Sequence, residues 1–158
     1  MIVMKFGGTS VQDASAILRA ADIVRSRVSH KPVVVVSAMA KVTDQLVEMS
    51  STAGRGEAEA ALGSARAMRE RHYNAAGELL GTALFTKFHA QLEEDFESLE
   101  ELLRGIAAVG ECTPRTTDSV LAFGERLTLL APRHETGRAQ ALLMFASSAS
   151  PSFGLPVR

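Results

Sequence analysis

The chain has 158 residues, a net charge of −1, 46% hydrophobic and 22% charged residues, the composition of an ordinary soluble globular domain with a real core. The near-neutral balance removes the electrostatic case for nucleic acid or an anionic membrane surface as partner. A single cysteine, Cys112, excludes an internal disulfide framework, no apolar run approaches the roughly 20 residues that span a bilayer, and no basic segment followed by an apolar one opens the chain as a signal peptide would, so a cytoplasmic location is expected.

Ile2 to Phe6 reads as a short buried strand. Gly7-Gly8-Thr9-Ser10 follows, with Ser10 placed as a helix N-cap and Asp13 three residues on, a variant of the capping box. Ile17, Ala21, Val24 and Val28 recur at helical spacing. Pro32 closes that region, and Val33-Val34-Val35-Val36 is a β-branched run without polar alternation, the pattern of a strand buried on both faces of a parallel sheet. Strand, helix and strand within about 35 residues make a βαβ unit, and the fold class is α/β.

Thr43 reads as the N-cap of a helix from Asp44 to about Ala53, and Glu57 to Leu80 is Ala-, Glu- and Arg-rich and helical. Phe88, Leu92, Phe96, Leu99, Leu103 and Ile106 form the stripe of another helix. The acids Glu93, Glu94, Asp95, Glu97, Glu100 and Glu101 between them read as a solvated face rather than a metal site. His30, His72 and His89 lack ligand-spaced partners and read as structural. Thr113-Pro114 starts a further helix, in which Val120, Phe123, Leu127 and Leu130 share a face. Gly124 within it costs about 1 kcal/mol against alanine, for which a close approach of another backbone or a ligand is a reason.

Two loops carry the chemistry. A strand turning through Gly7-Gly8 towards a helix exposes backbone N–H groups that, with the helix dipole, attract phosphate, and Lys5 at the strand end adds a point charge. The Ser37–Thr43 loop is polar and follows the second parallel strand, at the carboxyl edge where open α/β sheets bind ligands. Neither Gly-x-x-x-x-Gly-Lys-Ser/Thr nor Gly-x-Gly-x-x-Gly is present, so a nucleotide site here is of another type.

Lys5-Phe6-Gly7-Gly8-Thr9-Ser10-Val11 resembles the opening signature of the aspartate kinases, members of the amino-acid kinase fold. Val36-Ser37-Ala38-Met39-Ala40-Lys41-Val42-Thr43-Asp44 and Phe123-Gly124-Glu125-Arg126-Leu127, the latter with Gly110 to Arg115 before it, are similar to two further blocks in the same order. The resemblance implies the N-terminal lobe, residues 1–127, of a three-layer α/β/α domain with a mainly parallel sheet. It implies transfer of phosphate from ATP, with Mg2+ carried by the nucleotide, to the side-chain carboxylate of L-aspartate, the first step towards lysine, threonine and methionine. In that reading Lys5 neutralises the phosphates and the transferring group, and Gly7, Gly8 and Ser10 cradle them. Ser37 and Thr43 hold aspartate, and Glu125 pairs with its α-ammonium group. A homo-oligomer is compatible with it.

Residues 128–158 depart from the pattern. One acid, Glu135, no lysine, and Pro132, Pro151 and Pro156 occur there, and nothing resembles the family's later substrate loop or an ACT regulatory domain. A reading frame shifted near Leu127 produces such a change; a third strand at Leu142–Phe145 followed by a disordered end is the alternative.

Overall fold

The computed structural model describes residues 1–80 and 82–127; the expectations placed on residues 128–158, Leu130 and the third strand among them, lie outside these. Strands β1 (Val3–Phe6) and β2 (Val33–Val36) pair in parallel, with Val3 beside Val33 and Phe6 beside Val36. The helix between them, α1 (Ala14–Arg25), buries Ile17, Ala20, Ala21 and Val24. The α/β class and the parallel pairing of the two valine-rich runs are as expected, within a mostly helical chain.

Three details differ from the sequence reading. Ser10 is not the N-cap of α1. Residues Gly8–Val11 form a 3-10 turn, and the cap passes to Asp13, whose Oδ1 accepts the Ala16 N–H at 2.8 Å and the Ser15 hydroxyl at 2.8 Å. The Ala16 N–H bond, then that of Ser15, holds the Asp13 carboxyl below its ordinary pKa of 3.8. Val28 leaves the helical stripe, because α1 stops at Arg25 and Val28 sits half-exposed in a second 3-10 turn. The strands are covered on one face only. Phe6 and Val34 are buried, whereas Val3, Val33 and Val35 are 69%, 44% and 46% exposed, since among the described residues helices pack on a single side of the pair.

Helices α2 (Val42–Gly54), α3 (Ala58–Leu79) and α4 (Thr82–Val109) pack together into the main core. Leu46, Met49, Met68, Phe96, Leu99 and Leu103 are essentially inaccessible to solvent there; truncating such a side chain to alanine costs about 2–5 kcal/mol. His72 sits in the same core, its Nδ1 bonded to the Met68 carbonyl at 2.8 Å and its ring edge-on to Phe96. The acidic face of α4 is not uniformly solvated. Asp95 and Glu100 are buried and meet Arg126 and Arg69, and the Tyr73 hydroxyl donates to Glu93.

Helix α5 (Pro114–Leu121) starts at Thr113-Pro114 as expected, with Pro114 in the first turn, and the structure adds that Thr113 caps it, accepting from the Thr116 N–H. The helix expected to run through Gly124 instead breaks at Ala122, and Phe123–Arg126 forms the short α6. None of the helices among the described residues is long and apolar enough to cross a membrane.

Candidate functional site

The parallel register sets Lys5 beside Val35 and ends both strands at the same edge. There the Ser37 N–H donates to the Phe6 carbonyl at 3.0 Å, so the chain leaves both strands in step and the Gly7–Ser10 and Ser37–Thr43 loops begin as neighbours. Gly8 is where they touch. A Cβ added to it would lie 3.1 Å from the Ala38 carbonyl oxygen and 3.3 and 3.4 Å from Ala40 Cα and N. Only a glycine fits there without pushing the loops apart. Gly7, with nothing within 4 Å of a Cβ placed on it, leaves its backbone open.

Ala38 has a second neighbour. A Cβ on Gly124 would sit 4.0 Å from Ala38 Cβ and 3.5 Å from Leu46 Cδ1. The glycine of Phe-Gly-Glu-Arg therefore faces side chains at ordinary contact distance rather than a tight backbone crossing. All three sequence blocks thus converge on Ala38, the first through Gly8, the third through Gly124 and the second because Ala38 belongs to it.

Lys5, Gly7, Ser10, Ser37, Thr43 and Glu125 are exposed and Gly8 is half-buried. Lys5 follows the strand alternation onto the open face that also carries Val3 and Val35, opposite Phe6. Glu125 occupies the first turn of α6. Thr43 is not the cap of α2. The helix starts two residues earlier than expected, at Val42 rather than Asp44, and its cap position is Lys41 in the left-handed conformation, φ 67° and ψ −1°. The cause is a turn over Met39–Val42, closed by the Val42 N–H donating to the Met39 carbonyl at 3.2 Å, which places Thr43 inside the first helical turn.

Two groups at this edge have no signal in the local sequence. Arg71 of α3 donates from Nη1 to the Ala40 carbonyl and from Nη2 to the Gln12 carbonyl, both at 3.0 Å. Arg126, next to Glu125, donates from Nε (3.1 Å) and Nη2 (2.6 Å) to Asp95 and lies over the Phe123 ring at 4.4 Å. An open groove of about 390 Å³ runs beside Arg71, between Gln12, Asp13, Met39 and Asn74. None of the seven expected site residues lines it, and it is open to solvent, so the meeting of the loops at Ala38 is the stronger marker of the site. Among the described residues no group of His, Cys, Asp and Glu is arranged to hold a metal ion.

Comparison with known proteins gives the same three-block pattern a context. Residues 1–132 match the amino acid kinase family. The chain is 37% identical over 127 residues to aspartokinase 3, chloroplastic, of Arabidopsis thaliana, covering 78% of this chain and 21% of that protein. It is 34% identical over 123 residues to bifunctional aspartokinase/homoserine dehydrogenase 2, chloroplastic, of Zea mays, covering 78% and 13%. Among solved structures, Escherichia coli aspartokinase III in complex with aspartate and ADP superposes with a TM-score of 0.70 at 28% identity, over 92% of this chain and 29% of that one. The chain thus spans about a fifth or less of the length of the curated relatives quoted.

Proposed function

We propose that this chain, which belongs to the amino acid kinase family, supplies the phosphate-binding and part of the substrate-binding surface of an aspartate kinase, transferring the γ-phosphoryl group of ATP to the side-chain carboxylate of L-aspartate. The observation that carries the reading is the convergence of Gly8, Ala38 and Gly124 at the carboxyl edge of the parallel strands. It is supported by the aspartate and ADP held by the E. coli aspartokinase III structure that this chain resembles.

In this reading a carboxylate oxygen of aspartate attacks the γ-phosphorus, the bond to the ADP oxygen breaks, and the products are 4-phospho-L-aspartate and ADP. Such a transfer depends on positioning and charge stabilisation more than on covalent catalysis. Lys5 offsets the negative charge on the phosphates. The backbone N–H groups at Gly7 and Gly8 and the Ser10 hydroxyl cradle them, and the open backbone at Gly7 allows that approach. Ser37 and Thr43 hold aspartate, and the Glu125 carboxylate pairs with its ammonium group. Mg2+ would arrive on the nucleotide, bound by phosphate oxygens rather than by a cage of this chain's acids. A cytoplasmic location, in keeping with one cysteine, belongs to the same proposal, as does the place of the reaction at the head of lysine, threonine and methionine synthesis.

A second reading is a chain that retains phosphate binding or association with another subunit but not turnover. Its support is that none of the seven expected site residues lines the open groove beside Arg71. The two part in one experiment: ADP release by the purified chain in Mg-ATP, with and without L-aspartate, and with Lys5→Ala as control. Aspartate-dependent release lost in the variant supports the kinase. Saturable ADP binding without turnover supports the second reading, and a folded chain that binds neither ligand removes both.

A further inference from the structure

Arg71 is the described side chain that spans the two loops of the site. Its guanidinium reaches across from α3, and its two Nη atoms donate to carbonyls in different loops: Ala40, in the loop after β2, and Gln12, at the end of the 3-10 turn after β1. A planar fork with several fixed donors can hold two carbonyls at once, whereas an ammonium is a compact charge without that fixed fork.

The Ala40 bond falls on a strained peptide. Met39–Val42 is a turn closed by the Val42 N–H and the Met39 carbonyl, with φ 67° and ψ −1° at its third residue, Lys41, and no positive φ at Ala40. These are type II angles, and the third position of a type II turn favours glycine. The carbonyl that Arg71 holds is that of the central peptide, the one whose orientation distinguishes this turn from its relaxed type I alternative. Lysine in place of glycine therefore keeps this turn with the help of an outside group, and the Arg71 bond is one.

The geometry points to Arg71 as the positioning residue of the site, fixing the phosphate loop and the substrate loop relative to each other and holding the strained turn between Ser37 and Thr43. Its importance for ligands rests on the kinase reading above; the clamp itself does not. Two amides report the loops separately. The Ser10 N–H donates to the Gly7 carbonyl and the Val42 N–H to the Met39 carbonyl.

The test is amide hydrogen exchange on the full chain, read at Ser10 and Val42 against reference amides Ile17 and Leu80, with calorimetric titration of Mg-ADP and of L-aspartate. Arg71→Gln speeds exchange at both Ser10 and Val42 by about tenfold, the scale of losing one such bond, and leaves Ile17 and Leu80 as they were. Adding Lys41→Gly to Arg71→Gln slows Val42 again but not Ser10, because glycine takes up the left-handed angle unaided. A residue that merely packs α3 would not give this one-sided rescue. Arg71→Lys, which keeps stem and charge without the fork, fails to restore both loops, and it carries the comparison if the glutamine variant does not fold. Both ligands bind about tenfold more weakly to Arg71→Gln than to the parent chain. Unchanged protection at either amide, or rescue of both by Lys41→Gly, overturns the clamp. Equal ligand affinity in the variant overturns its positioning role. If the parent chain binds neither ligand, the kinase reading fails and the exchange pattern alone decides the clamp.

Discussion

The Asp95 carboxylate, with its side chain 1% exposed, receives both Nε and Nη2 of Arg126, 31 residues further along the chain. The pair ties α6, and with it Glu125, to the centre of α4. Arg126→Ala removes the guanidinium from a buried carboxylate, and the loss is expected to be about 3 kcal/mol, the low end of the range for a broken buried pair because Arg126 is one-third exposed. Replacing both partners, Asp95→Leu with Arg126→Met, recovers most of that loss. Urea denaturation of the two variants and the parent measures both. A single-variant cost below 1 kcal/mol would mean that the pair is solvated in solution.

Adjacent glycines behave oppositely. Gly8→Ala directs its new methyl at backbone, the Ala38 carbonyl at 3.1 Å and Ala40 Cα at 3.3 Å, and backbone yields less readily than a side-chain tip. A cost of about 1–3 kcal/mol is expected. Gly7→Ala meets nothing within 4 Å at φ −78° and stays within about 0.5 kcal/mol of the parent. Thermal melts of the two variants side by side test the close approach of the loops without any ligand.

What the sequence discloses here follows from how local each cause is. The valine run of β2, the Thr113-Pro114 start of α5 and the meeting of two loops at one sheet edge are local patterns, and all three are present. Burial of β2 on both faces is not local, since it depends on what lies across the sheet. Ser10 and Thr43 lost their cap roles to tight turns at Gly8–Val11 and Met39–Val42 that shift each helix start by a residue or more. Asp95 was half-legible: it lies three residues past Leu92 and four before Leu99, on the apolar stripe itself. Its partner Arg126, like Arg71 with its two carbonyls, is fixed only by tertiary packing, and no spacing in the chain announces either.

Gly54 near the end of α2 faces Cys112. A Cβ at Gly54 would lie 2.8 Å from Cys112 Cβ and 3.2 Å from its backbone nitrogen, so Gly54→Ala has to displace the segment before α5. A destabilisation of about 1–3 kcal/mol is expected. Cys112→Gly in the same chain removes the nearer clash and recovers part of it. The interaction term of this double-mutant cycle, measured by denaturant melts, has the sign of relief. Simple additivity would show that the two segments do not meet.

His72 makes the fold sensitive to mild acid. Burial first, and the nearby Arg71 charge to a lesser degree, push its pKa below the ordinary 6.5, against the opposing effect of the bond to the Met68 carbonyl. Its Nε2 is buried without a hydrogen-bond partner among the described residues, so a proton added there has nothing to receive it. The unfolded chain therefore binds this proton more readily than the folded one. Stability is at its full value above pH 6.5 and falls as the pH drops from 6.5 towards the folded pKa, by at most about 1.4 kcal/mol per pH unit. The carboxyls of Asp13 and Glu57, both lowered, act in a different window, below their ordinary values of 3.8 and 4.5. Between pH 5 and 6.5 the difference in slope between the parent and His72→Leu isolates the ring. Urea melts at half-unit steps are expected to show the parent losing stability over that window and the leucine variant holding closer to level. Parallel slopes would mean that the imidazole accepts its proton in the folded core, with Phe96 giving way to admit water.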